Sequence, residues 1–125
     1  MLNAFGYTIR RSTVTQAREL ALQYFARMRA RQPVDELFAP DGELYGLGNL
    51  VKGRAAIREF YAGAQSDAAP TPSEPLVLLA DDRHCAAEIK IALKNGITMH
   101  AMDLFEVADG QITRLSYFIC DDPKE

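Results

Sequence analysis

Asp103 and Glu88 are the two residues of this 125-residue chain whose types and spacing best suit acid–base chemistry. Both fall in apolar segments that we predict to be neighbouring β-strands, in which side chains alternate between two faces. If Asn95-Gly96 is a two-residue turn, the two carboxyl groups lie opposite each other. Two adjacent carboxylates in a dry site cannot both ionise cheaply, so one would become an acid or hydrogen-bond donor. Burial in an apolar cup would by itself raise the pKa of Asp103 above its usual value of about 3.9.

The position of Glu88 depends on the register of that hairpin. A one-residue bulge would place Glu88 on the opposite face and leave Asp103 alone, so both arrangements stay open. Lys90 shares the face of Glu88, and its long side chain could neutralise the pair. A three-residue turn at residues 108–110 would put Leu115 opposite Asp103 and add further side chains to the same face: Leu115, Tyr117 and Ile119.

The elements that must position these groups are helices in the first half of the chain and strands in the second. Helical periodicity and breaker residues predict three helices: residues 12–31, 34–38 and 54–64. A turn is predicted at Pro40-Asp41-Gly42. Extended segments are predicted at residues 43–47, 76–80, 85–93, 97–107 and 112–121. This order is typical of an α+β fold, and the length favours a single domain, residues 1–125, with its core at about 13–121.

The face of the predicted sheet opposite Asp103 is apolar. With the two-residue turn, it would carry mostly aliphatic and aromatic side chains: Ile89, Ile91, Leu93, His100, Met102, Leu104, Phe118 and Cys120. Monomeric proteins rarely expose so large an apolar patch. We therefore expect a homodimer formed through this outer sheet face.

Composition and charge exclude several classes of function. The net charge of −3 and the pI near 5.4 argue against binding to nucleic acid, which needs a strongly basic surface. No segment is long and apolar enough to span a membrane, so we expect a cytoplasmic protein without membrane contact. Cys85 and Cys120 belong to no metal-ligand pattern, so we expect no metal site.

Three motifs and their order carry a resemblance to a known superfamily. Residues 53–61, Gly-Arg-Ala-Ala-Ile-Arg-Glu-Phe-Tyr, resemble the Gly-x-x-Ala-Ile-x-x-Phe-Tyr helix of ketosteroid isomerases, and residues 38–42 resemble the segment before their catalytic base. Residues 103–112 resemble the last hairpin of the same proteins. The chain is thus similar to the SnoaL-like and ketosteroid-isomerase-like members of the nuclear transport factor 2-like superfamily. The resemblance implies a cone in which three N-terminal helices close over a curved, mostly antiparallel sheet around a ligand pocket.

The resemblance also indicates which positions would take part in isomerase chemistry. That reaction needs a carboxylate base, and a tyrosine and a protonated aspartic acid that donate hydrogen bonds to the dienolate. By alignment, Asp103 takes the place of the protonated aspartic acid, Gly46 that of the base and Phe25 that of the tyrosine. Tyr24 lies one residue away. Because glycine cannot remove a proton and phenylalanine cannot donate a hydrogen bond, we expect no steroid isomerisation.

Two functions of different classes remain. As an enzyme, the chain would be a cofactor-independent isomerase, cyclase or hydrolase of a small apolar carbonyl, polyketide-like or epoxide compound. Asp103 would then be the acid or hydrogen-bond donor, assisted by Tyr117, Tyr24 and Glu88. As a binding protein, it would hold a small apolar ligand without turnover, as a sensor, carrier or accessory subunit. In either case we expect further side chains to contact the ligand: Tyr117, Phe25, Tyr45, Phe60, Tyr61, Leu115 and Ile119.

Overall fold

The computed structural model describes residues 7–120, with the side chains of residues 16–120. In this part of the chain, α1 spans Tyr7–Ala30, α2 spans Arg54–Ser66 and a 3₁₀ turn lies at Asp35–Leu37. The strands are β1 Phe38–Gly46, β2 Asn49–Lys52, β3 Thr71–Pro72, β4 Val77–Ala80, β5 His84–Ala92, β6 Thr98–Ala108 and β7 Gln111–Cys120. No helix among these residues combines the length and the apolar character needed to cross a membrane. The expected domain also includes residues 1–6 and 121–125, which lie outside the described residues.

The segment between α1 and β1 differs from the prediction. The helix expected at residues 34–38 is only the 3₁₀ turn, so the described residues hold two α-helices and not three. The residue before a proline is disfavoured in the helical region, so Ala39 cannot extend that turn. Phe38 is already extended, with φ −90° and ψ 150°. The turn expected at Pro40-Asp41-Gly42 instead lies inside β1, where the pairing with β7 is irregular.

The seven strands form one sheet in the order β2-β1-β7-β6-β5-β3, and β4 also pairs with β5. Every pair is antiparallel except β1 with β7. Helix α1 packs on β3 to β6 and α2 packs on β1 and β2. This is the predicted α+β arrangement, in which helices cover one face of a curved, mostly antiparallel sheet.

The core lies between the helices and this inner face of the sheet. Tyr24 and Phe25 of α1 both meet Phe105 of β6 edge to face, with ring centroids 5.3 Å and 5.6 Å apart. Leu115 of β7 and Ile57 of α2 are fully buried beside them. Each aromatic pair contributes about 0.5–1.5 kcal/mol beyond the area that it buries, so these contacts fix α1 over β6.

The hairpin between β5 and β6 has a three-residue loop and not the predicted two-residue turn. The Leu93 amide donates to the Ile97 carbonyl at 2.8 Å, and Gly96 has a φ of 90° that suits glycine. The extra residue shifts the register by one. Asp103 therefore lies opposite Ala87, and Glu88 lies opposite Met102 on the outer face. Of the two arrangements left open by the sequence, the structure has the one in which Glu88 lies on the outer face and Asp103 is alone, and Lys90 also lies on the outer face.

The same shift corrects the predicted composition of the outer face. Ile89 lies opposite Ala101 and is 1% exposed in the core, and Ile91 packs against the core from the same side. Only part of the predicted outer group remains there: His100, Met102, Leu104, Phe118 and Cys120.

The hairpin between β6 and β7 preserves the predicted faces with a different register. Asp103 lies opposite Tyr117, and Phe105 lies opposite Leu115. A bulge leaves Thr113 without a partner, because Val107 pairs with Ile112 and Glu106 with Arg114. The pairing is displaced by two residues from the prediction, and since side chains alternate with a period of two, Leu115, Tyr117 and Ile119 remain on the face of Asp103.

Candidate functional site

A cavity of about 260 Å³ lies between the two helices and the inner face of β5, β6 and β7. Its polar wall groups are one carboxyl group, from Asp103, and three phenols, from Tyr24, Tyr61 and Tyr117. The other wall residues are apolar and include Met28, Phe60, Ile91, Leu93, Met99 and Ile119. An apolar cavity with a few convergent polar groups is typical of a small-molecule site.

Asp103 is the central polar group of this cavity. It lies in the middle of β6, is only 4% exposed, and forms no hydrogen bond with any of the described side chains or backbone groups. Burial alone raises its pKa to about 7, because water is not available to solvate the charge. Near neutral pH a large fraction of the molecules therefore carry a neutral carboxylic acid that can donate a hydrogen bond.

Tyr24 and Tyr61 form a phenol pair beside Asp103. Tyr24 extends from α1 and Tyr61 from α2, and their hydroxyl oxygens are 2.7 Å apart. Burial raises the pKa of both phenols, and the nearby charge of Asp103 adds to this effect. Both groups stay protonated at neutral pH, and since one hydroxyl donates to the other, the second proton is free for another acceptor.

Tyr24, and not Phe25, occupies the cavity wall on α1. Phe25 is fully buried and packs edge to face on Tyr24 and Phe105, 5.4 Å and 5.6 Å away. The resemblance to ketosteroid isomerases puts Phe25, one residue further along the helix, at the tyrosine position. One residue turns a helix by about 100°, so that difference decides which ring faces the cavity.

The predicted site residues separate into three groups. Six of them lie on the cavity wall: Asp103, Tyr24, Tyr117, Phe60, Tyr61 and Ile119. Phe25 and Leu115 lie in the core behind that wall, fully buried. Glu88 and Tyr45 lie on the outer face, where Glu88 contacts His100 at 2.6 Å and Tyr45 lies under the Arg114 guanidinium at 5.5 Å.

Several wall residues were missed by the sequence analysis. Met28 lies one helical turn after Tyr24, and Ala64 lies one turn after Phe60 and Tyr61, so helical spacing could have identified both. Met99 is not among the missed residues, because strand alternation predicts it on the face of Asp103. Ile91 and Leu93 required the correct length of the β5–β6 loop. Leu47, Ala68 and Pro70 lie in loops, for which the sequence carried no signal.

Among the described residues, the candidates for a nucleophile or a metal site are cysteine, histidine and acidic side chains. Cys85 is a free buried thiol, and burial raises its pKa to about 11, which keeps it unreactive at neutral pH. Among residues 16–120, no group of three or more His, Cys, Asp or Glu side chains is arranged to hold a metal ion. The polar groups that face the cavity are those of Asp103 and the phenols of Tyr24, Tyr61 and Tyr117.

Comparison with solved structures finds the same fold in several bacterial proteins. A candidate ketosteroid isomerase from Kribbella flavida aligns over 90% of this chain and 83% of its own, with 22% identity and a TM-score of 0.79. SalBIII, an epoxide hydrolase/cyclase-like enzyme of pyran ring formation in the polyether salinomycin, aligns over 85% and 92%, with 22% identity and a TM-score of 0.75. A candidate polyketide cyclase from Xanthomonas campestris aligns over 85% and 91%, with 18% identity and a TM-score of 0.77. At these identities the likeness establishes the fold alone.

Comparison at the level of sequence identifies the family. Curated protein sequences give no match to the chain. The family model of the SnoaL-like domain matches residues 14–115, which include most of α1, all of α2 and Asp103, whereas the cavity residues Tyr117 and Ile119 lie beyond the matched part. The chain therefore belongs to the SnoaL-like domain family.

Proposed function

We propose that this protein binds a small apolar carbonyl or epoxide compound and activates its oxygen with the neutral carboxyl group of Asp103. It would act as an isomerase, cyclase or hydrolase that needs no cofactor. The observation that carries the proposal is the unpartnered, desolvated carboxyl group of Asp103 in an otherwise apolar cavity. A group with this environment and a pKa of about 7 is typical of catalytic acids.

The acid would act where negative charge develops on the substrate oxygen. In the opening of an epoxide, the Asp103 proton passes to the epoxide oxygen as the carbon–oxygen bond breaks. A hydroxyl of the substrate, or water, forms the new carbon–oxygen bond and returns a proton to the Asp103 carboxylate. A phenol of the Tyr24–Tyr61 pair supplies a second donor, and in a dry cavity such fixed donors act more strongly than in water.

Steroid-type isomerisation is not part of this proposal, because the cavity wall offers no separate base. Gly46 has no side chain, and Glu88 and His100 lie on the outer face of the sheet. The absence of a second carboxylate among the described wall residues also favours an alternative function. In that alternative, the protein binds an apolar ligand through Asp103 and the phenols and does not convert it.

Binding can be tested with 1-indanone, a small ketone, and indane, its hydrocarbon counterpart. We expect 1-indanone labelled at its carbonyl carbon to show a downfield ¹³C shift on binding, since a hydrogen bond from Asp103 polarises the carbonyl. Asp103→Leu, which removes the donor at similar volume, should abolish that shift and leave indane binding unchanged. Glu88→Gln, on the opposite face, is the matched control and should behave as wild type. An unchanged shift in Asp103→Leu would refute the proposed role of Asp103.

Turnover separates the enzyme from the binding protein. An aryl hydroxy-epoxide that can close to a cyclic ether is a suitable substrate, because acid assistance at the epoxide oxygen is the step assigned to Asp103. Asp103→Asn should lower the rate about 10²–10³-fold, as expected for loss of one fixed donor. Binding of 1-indanone with the Asp103-dependent shift, combined with no turnover across a panel of epoxides and carbonyl compounds, would favour the binding function.

We also propose that two copies of the chain associate through the outer face of the sheet. Large apolar side chains are exposed there, among them Phe118 at 51% and Leu79 at 68%. Burial of such a patch is a common reason for homodimer formation. Light scattering should give twice 13.9 kDa at micromolar concentration, and Phe118→Asp should give the monomer mass. A monomer in the wild type would exclude this assembly.

A further inference from the structure

Gly46, Tyr117 and Asp103 lie side by side in one row across three strands of the sheet. Tyr117 of β7 pairs with Gly46 of β1 on one side and with Asp103 of β6 on the other. All three face the cavity side of the sheet. The next position in the row, beyond Asp103, is Ala87, so the two bulkier residues are flanked by two very small ones.

The ring of Tyr117 lies directly over Gly46. A Cβ atom at position 46 would come within 2.4 Å of the Cε2 and Cζ atoms of Tyr117 and 2.5 Å of its Cδ2 atom, far closer than side-chain atoms can approach. Three adjacent ring atoms are almost equally distant from that point, which is possible only if the point lies above the ring and not beyond its edge. The face of the ring therefore rests against β1 at Gly46.

Gly46 is not needed for the backbone conformation of β1. Gly48, Gly53, Gly96 and Gly110 have positive φ values that favour glycine, whereas Gly46 does not. The backbone at position 46 would accept an L-residue, and the three atoms that its Cβ would meet first all belong to the ring of Tyr117. The glycine is thus explained by the ring that rests on it.

The position of the ring determines what the cavity offers to a ligand. Tyr117 and Asp103 both line the cavity and no hydrogen bond joins their side chains, so both groups remain available to a ligand. Since one face of the ring rests on β1, the opposite face is the one that can contribute to the cavity wall. Burial and the charge of Asp103 raise the pKa of the Tyr117 phenol, so its hydroxyl is also a donor.

We infer that Gly46 determines the specificity of the site through Tyr117, and that the ligand is a flat, unsaturated or aromatic compound carrying an acceptor oxygen. Its ring stacks on Tyr117 while its oxygen accepts a hydrogen bond from Asp103. Gly46 is a positioning residue in this arrangement. The inference rests on the proposed role of Asp103 and names the class of compound that the site accepts.

Two ketones with the same skeleton test the preference for a flat ligand. 1-Indanone has an aromatic ring, and its saturated counterpart, octahydro-1H-inden-1-one, has a puckered one with the same carbonyl group. We expect the wild type to bind the aromatic ketone about three- to tenfold more tightly, as stacking on a tyrosine would give. In Tyr117→Leu this preference should disappear, while the carbonyl ¹³C shift caused by Asp103 should remain for both ketones.

A double-mutant cycle shows whether Gly46 acts through the ring. Gly46→Ala should weaken binding of 1-indanone about tenfold, because the displaced ring enters the cavity. In Gly46→Ala/Tyr117→Leu the alanine has nothing to displace, so this variant should bind both ketones as Tyr117→Leu does. A further tenfold loss in the double variant would mean that position 46 acts independently of Tyr117 and would overturn the inference. If Gly46→Ala does not fold, recovery of folding in the double variant gives the same answer.

The outcomes also distinguish this inference from the function on which it rests. An Asp103-dependent carbonyl shift with equal affinity for the two ketones refutes the flat-ligand inference alone. Absence of that shift for both ketones in the wild type refutes the role of Asp103, and with it the inference.

Discussion

Asp103 and Glu88 are carboxylates on neighbouring strands, one register position apart, and they have opposite surroundings. Asp103 faces the cavity, 4% exposed, without a hydrogen-bond partner among the described residues. Glu88 faces outward, its side chain is 30% exposed, and it contacts the imidazole of His100 at 2.6 Å. The carboxyl group of Asp103 is thus buried away from water on the inner face, whereas that of Glu88 is partly exposed to water and paired with His100 on the outer face.

The difference indicates what each residue contributes to the molecule. A buried ionisable group without a partner costs stability, and proteins retain such groups mainly at functional sites. A partly exposed pair such as Glu88 and His100 has only a small effect on the free energy of unfolding. The face of the sheet therefore separates a group that can act as an acid from one that affects only local stability.

The largest expected effect is a pH-dependent stability that belongs to Asp103. Its pKa is about 7 in the folded protein and 3.8 as the reference for the unfolded chain. Between these values the unfolded chain releases the proton and the folded protein keeps it, so the free energy of unfolding falls as pH rises, by about 4 kcal/mol in total. In Asp103→Asn the free energy of unfolding should not fall in this way as pH rises, so this variant should be more stable than wild type above pH 7. Urea denaturation from pH 4 to 8 measures the difference.

Glu88→Gln is the matched control for that experiment and should retain the loss of stability between pH 4 and 7. Direct titration of the Asp103 carboxyl carbon by NMR checks the cause. A midpoint at or below the reference value would show that Asp103 is solvated or ion-paired, and the acid role would have to be abandoned.

The next largest effect concerns the phenol pair beside Asp103. Tyr24→Phe removes the hydroxyl that lies 2.7 Å from the Tyr61 hydroxyl and leaves that group without its partner in a buried position. We expect a loss of about 1–2 kcal/mol in the free energy of unfolding. Tyr45→Phe removes a hydroxyl from the outer face and should change stability by less than about 0.5 kcal/mol. Equal effects of the two substitutions would mean that the Tyr24–Tyr61 bond adds no stability.

The sequence allowed the α+β class, the faces of β6 and β7 and the presence of Asp103 in an apolar environment to be predicted. Those features depend on the alternation of side chains along single strands. Because that alternation has a period of two, the two-residue error in the register of β7 leaves its side chains on the predicted faces. The face of Glu88 depended instead on the length of one loop. Asn95-Gly96 predicts a two-residue turn, but Lys94 joins the loop and Gly96 closes it with a φ of 90°. The proximity of Tyr117 to Gly46 could not be predicted, because it depends on parallel pairing between strands far apart in the chain.

Gly96 therefore tests the loop that separates the two carboxylates. In Gly96→Ala, a side chain must adopt the left-handed conformation, which costs about 1 kcal/mol. We expect a destabilisation of that size by urea denaturation, with the Asp103 titration unchanged because the register is preserved. Asn95→Ala, at the neighbouring loop position, removes an acceptor of the Ile97 amide and serves as a comparison without a change of φ preference. A Gly96→Ala protein that is as stable as wild type would contradict the three-residue loop.

The smallest expected effect is on the outer face, where Glu88 meets His100. Glu88→Gln keeps the size of the side chain and removes its charge, and both partners are exposed enough for water to screen their interaction, with side-chain exposures of 30% and 36%. Pairs of this kind contribute about 0.2–1 kcal/mol, so we expect a change in that range at pH 7 and less at high salt. Urea denaturation at 0.1 M and at 1 M salt measures the change in stability under the two conditions.

The carbonyl shift of 1-indanone bound to Glu88→Gln should be the same as in wild type, because the β-sheet separates Glu88 from the cavity. A lost shift, or a destabilisation close to that expected at Asp103, would show that the two carboxylates are coupled through the sheet, and the distinction between a functional inner face and a structural outer face would fail.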